Sequence, residues 1–79
     1  MIMSPSLSFL LTHYRQALAD SVTRLHGRGL PPCPPGEETL WAEAGEGAGW
    51  LSAEEGMEVR RLAFRVRFYE QRARQLVAG

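Results

Sequence analysis

The side chains able to bind a metal or move a proton are few: His13, His26, Cys33 and Asp20. His13 and His26 lie thirteen residues apart on what reads as one helix, roughly 20 Å along its axis and too far to share a metal within one chain. Cys33 follows His26 by seven residues and can meet it, but two ligands do not close a zinc site. A pair of chains can bring four ligands together; the plainer reading is a surface histidine and a cysteine in a proline-rich loop. Asp20 is the one aspartate, and no serine or cysteine stands with a base and an orienting acid at a recognisable spacing. The Gly45-Glu46-Gly47-Ala48-Gly49 run follows no strand and ends in no GK[ST], so it is no phosphate cradle. The sequence predicts a non-enzyme with no catalytic residues, no metal and no cofactor.

What remains is recognition chemistry, gathered near the C-terminus. Val59, Leu62, Val66, Tyr69, Ala73 and Leu76 recur at spacings of 3, 4, 3, 4 and 3, the seam one helix presents to another. Met57, Phe64 and Phe68 fall roughly 150° from that seam at 100° per residue. Arg60, Arg67 and Arg74 form a row beside this second stripe, and Arg61, Arg65 and Arg72 form a row on its other side. Aromatic rings between guanidinium rows suit an acidic groove on a protein, a nucleic acid, or an anionic membrane surface. Three things can cover the stripe: the chain's own acidic middle with Trp41 and Trp50, a second copy, or a foreign ligand. Trp41 is expected to be buried among Leu40, Ala42 and Ala44, and Trp50 to be partly exposed; either indole is also a candidate partner anchor.

These residues need helices to position them. Ser4 as cap and Pro5 at the first helical position start a helix over about 5–26. Leu7, Leu11, Tyr14, Leu18, Val22 and Leu25 line its apolar side, and Gly27 and Gly29 end it in the left-handed conformation. Leu30-Pro31-Pro32-Cys33-Pro34-Pro35-Gly36 forbids a helix and makes a stiff connector over 30–36. The acidic segment 37–50 reads as one helical turn around Glu38 to Ala44 and then a loose glycine loop. A long helix follows over about 52–77, opened by a capping box of Ser52 and Glu55. Gly56 in its first turn costs about 1 kcal/mol against alanine, which close approach of another backbone or a frayed start would explain. The expected fold is all-α: one small domain over 1–79, an antiparallel two-helix hairpin with a Pro-rich crossover and a short Trp-bearing segment across it. Two copies can pair into a four-helix bundle.

Charge and composition narrow the function. The formal net charge is zero, yet seven of the nine acids lie between 37 and 58 and six of the nine basic residues between 60 and 74. All nine basic residues are arginine, which reflects either bidentate recognition of carboxylate or phosphate or a GC-rich coding sequence. A lone cysteine rules out an internal disulfide and suits a reducing cytoplasm. The start has no basic run before its short apolar stretch, so neither a signal peptide nor a membrane span is expected. The sequence thus reads as a cytoplasmic protein-interaction module: an adaptor, inhibitor, assembly chaperone or small subunit, binding another protein that includes a second copy of itself. The alternative is a nucleic-acid-binding protein using the arginine helix, opposed by the zero net charge and the acidic middle.

Overall fold

The computed structural model describes residues 6–78, and among them the chain is all-helical, with three helices and no strand. Helix α1 spans Leu7–His26, α2 Glu38–Ala48 and α3 Ala53–Ala78. None is long and apolar enough to cross a membrane.

Helix α1 starts where a hydroxyl can cap it. Ser6 accepts a hydrogen bond from the Phe9 N–H at 3.1 Å, satisfying one of the donors a helix start leaves free. Ser4 and Pro5, the expected cap and first residue, lie outside the described residues. At the other end, Gly27 stays right-handed, with φ −58°. Gly29, at φ 76°, makes the left-handed turn alone.

The proline run then leads to α2 rather than directly to the long helix. Trp41 fixes it there, its indole N–H donating to the Pro31 carbonyl at 3.0 Å. Helix α2 runs straight through Gly45 and Gly47 and stops at Gly49, which is left-handed at φ 84°. The expected loop is therefore helix. Each internal glycine costs about 1 kcal/mol of propensity, but a β-carbon at Gly45 would stand 2.6 Å from Leu51 Cδ1 and 2.9 Å from Trp50 Cζ3. Only glycine lets the chain turn back so closely on its own helix, and the burial of Leu51 and Trp41 outweighs the propensity.

Helix α3 begins with the capping box. The Glu55 N–H donates to Ser52 Oγ at 3.1 Å, and the Ser52 N–H donates to Glu55 Oε1 at 2.9 Å. Gly56 is occupied from outside by a side chain, Glu46, and not by a second backbone.

The core is Leu18 and Leu25 from α1, Trp41 and Ala42 from α2, Leu51, and Val59, Ala63 and Val66 from α3. Along α1 and α3 the partners rise in number on one helix as they fall on the other. Arg15 pairs with Glu70, Arg24 with Glu58 and Arg28 with Glu55, at 2.8, 2.8 and 2.9 Å. The Tyr14 and Tyr69 rings stack at 5.6 Å. The one buried polar side chain among the described residues, Ser21, donates to Glu58 Oε2 at 2.6 Å. Helix α2 lies against the first half of α3, where Glu46 pairs with Arg60, and the molecule extends over 47 × 20 × 18 Å.

Candidate interaction surface

Helix α3 has two apolar sides, and only one is covered. Val59, Ala63 and Val66 are buried beneath α1 and α2, with Leu62 and Tyr69 half-buried at the edge. On the opposite side Phe64 is 73% exposed, Met57 60% and Phe68 54%. The acidic segment does fold back onto α3, but onto the side carrying Gly56 and Arg60. Of the three possible covers for the phenylalanines, the chain's own acidic middle is therefore not the one that lies over them. The reason is geometric: the Glu46 side chain of α2 fills the space that glycine leaves open at position 56, and Gly56 lies on the Arg60 side of α3.

The six candidate arginines divide. Arg60 pairs with Glu46, and Arg67 donates to the Gly36 carbonyl at 2.7 Å, so both tie α3 to the segment before and within α2. Arg65 lies over the Tyr14 ring at 5.8 Å. Arg61, Arg72 and Arg74 form no ion pair among the described residues. Arg61 and Arg65 line a shallow cleft with Phe64 and Phe68. The exposed site is thus Met57, Phe64 and Phe68 with Arg61, Arg65 and Arg72 along one flank. That flank also carries Glu54 near its start and has Glu58 at its edge, where Ser21, then Arg24 and the Arg61 charge, hold the Glu58 carboxyl below its ordinary range.

Of the two tryptophans, Trp41 is only 6% exposed and belongs to the core, which removes it from the candidate partner contacts. Its ring meets His26 and Trp50 edge-on, at 5.6 and 5.2 Å. Trp50 stays half-buried.

A second concavity of about 420 Å3 lies between α1, the proline run and α3, within the size range of small-molecule sites. Its floor is apolar (Leu18, Val22, Ala63 and Val66), and His26 and Cys33 both line it. The sequence brought these two together only as a weak metal pair, and no group of three or more metal-binding side chains occurs among the described residues. Burial, reinforced by Glu38 and then Glu37, pushes the Cys33 thiol up to about 11. At neutral pH it is therefore a protonated thiol, the form that neither attacks nor ligates. The His26 Nε2 atom is buried without a hydrogen-bond partner.

The sequence did not single out the outer side of α2. There Leu40 is 60% exposed between exposed Glu37 and Glu43, and Ala44 and Gly47 continue its line. The signal was present as a 3–4 spacing, hidden by reading residues 45–49 as a loop. No protein family, curated protein or solved structure matches this chain.

Proposed function

We propose that the chain is a small non-enzymatic protein-interaction module that docks through the outer side of α3. In this reading α1 and α3 form an antiparallel hairpin, α2 braces one half of it, and the Phe64–Phe68 stripe is left for a partner. The observation that carries it is the exposure of Phe64 and Phe68 beside Arg61, Arg65 and Arg72, which form no ion pair among the described residues. Large aromatics and arginine dominate the energetics of many interfaces. The complementary surface has an apolar centre and an acidic rim.

The test is a photo-reactive residue at position 64 in the native host. Cross-linking to a protein, lost in Phe68→Glu, supports the reading. Cross-linking to nucleic acid supports the alternative, in which the same arginines contact phosphates. Short-duplex affinity then persists at about 0.15 M salt and falls with a log–log slope of about −0.9 per contact. Phe64→Glu with Phe68→Glu is expected to leave the fold intact, because both rings already face solvent.

A further inference from the structure

We infer that the occupant of the α3 stripe is the outer side of α2 of a second copy. The inference rests on the interaction-module reading above and names the partner. Within one chain, Arg15, Arg24, Arg28 and Arg60 are each matched to a carboxylate: Glu70, Glu58, Glu55 and Glu46. What is left over is segregated. Arg61, Arg65, Arg67, Arg72 and Arg74 lie along the outer and later part of α3 and form no ion pair among the described residues, although the Arg61 charge reaches Glu58, the carboxylate already matched to Arg24. Glu37, Glu38 and Glu43 gather on α2 and its cap, also without an ion pair, and Glu54 stands at the start of α3.

Shape follows charge. On α2, Leu40, Ala44 and Gly47 form one exposed line with Glu37 on one side and Glu43 on the other. At 100° per residue these five positions span roughly 120° of one helix face. Ala44 and Gly47 are low enough to receive the Phe64 and Phe68 rings, and Leu40 supplies an apolar contact. The flanking glutamates then meet Arg61, Arg65 and Arg72. Packing α3 against its own copy instead places arginine rows against each other, a like-charge arrangement that disfavours it. Because each chain carries both surfaces, two reciprocal contacts close a two-fold dimer.

The experiment is a charge exchange. The first variant is Glu37→Arg with Glu43→Arg; Glu37 makes no side-chain capping bond, so its loss removes none. The second is Arg61→Glu with Arg72→Glu, which leaves the Arg65–Tyr14 contact in place. Circular dichroism checks that both stay helical. By light scattering at high micromolar concentration the native chain is expected to be a dimer, each variant alone a monomer, and an equimolar mixture a dimer again. Raising salt from about 0.05 to about 0.5 M is expected to weaken the native dimer about tenfold or more, because the rim charges are screened. A native chain that stays monomeric, or variants that pair no better when mixed than alone, overturns the inference. A monomer whose position 64 still cross-links to a different protein leaves the interaction-module reading standing; a monomer that captures no protein removes both.

Discussion

The Glu46 carboxyl group occupies the space a β-carbon on Gly56 would need, with Oε1 2.5 Å from that position. The same carboxylate pairs with Arg60, one turn further along α3. Glycine at 56 therefore admits the side chain that fastens α2 to α3. Replacing it by alanine recovers about 1 kcal/mol of helix propensity but displaces Glu46. Gly56→Ala is expected to be neutral or destabilising in the native chain and stabilising by about 1 kcal/mol in a Glu46→Ala background. Urea denaturation of the four chains in this double-mutant cycle measures the difference, and equal effects in both backgrounds would remove Glu46 as the cause.

Two glycines of α2 should respond oppositely to the same change. A β-carbon at Gly45 collides with Leu51 and Trp50, whereas one at Gly47 meets nothing within 4 Å. Gly45→Ala is expected to cost about 1–3 kcal/mol through forced repacking. Gly47→Ala is expected to gain about 0.5–1 kcal/mol. Thermal melts of the two variants read the signs directly.

Fluorescence separates the indoles. Trp41 is buried and hydrogen-bonded to Pro31, while Trp50 is half-exposed. In a Trp50→Phe chain the remaining emission is expected to be blue-shifted and slow to quench with acrylamide, and in a Trp41→Phe chain red-shifted and faster to quench. Trp41→Ala is expected to cost about 3–5 kcal/mol. Rapid quenching of Trp41 in the free protein would contradict its placement in the core.

Acid should weaken the α1–α3 contact. The Ser52 backbone N–H, and after it Arg28, hold the Glu55 carboxyl below its ordinary 4.5. The Ser21 hydroxyl, and after it Arg24, do the same for Glu58. Both groups bind a proton more weakly when folded, so their contribution is present above about pH 4.5 and lost as pH falls through the lower folded values. Glu58→Gln is expected to lower the melting temperature at pH 7, with the gap to the native chain narrowing below about pH 4. A gap that stays constant with pH would mean the Glu58 charge contributes nothing.

The long periodic segments were legible in the sequence because one-sided burial imposes a 3–4 spacing, as in Leu18 to Leu25 and Val59 to Val66. The Ser52–Glu55 box was legible because both of its bonds are local. What could not be read were contacts set by tertiary fit. Gly45 and Gly47 carry loop propensity, and Leu51 closing on Gly45 is a tertiary contact that offsets it. The side of α3 that α2 would cover depended on Gly56 leaving room for Glu46, which also reaches Arg60 there. The Met57–Phe64–Phe68 stripe was recognisable as a second apolar side, but its exposure required knowing where α2 lands.

The placement of α2 against α3 also sets an order of events. Glu46 and Arg60 are fourteen residues apart, whereas Arg15 and Glu70 are separated by 55. Closing the longer loop costs about 1.2 kcal/mol more in chain entropy, at about 0.6 kcal/mol per doubling. The α2–α3 corner is therefore expected to assemble first, with α1 docking onto it afterwards. In stopped-flow refolding and unfolding, Val59→Ala within the corner is expected to slow folding, and Leu18→Ala on α1 to speed unfolding.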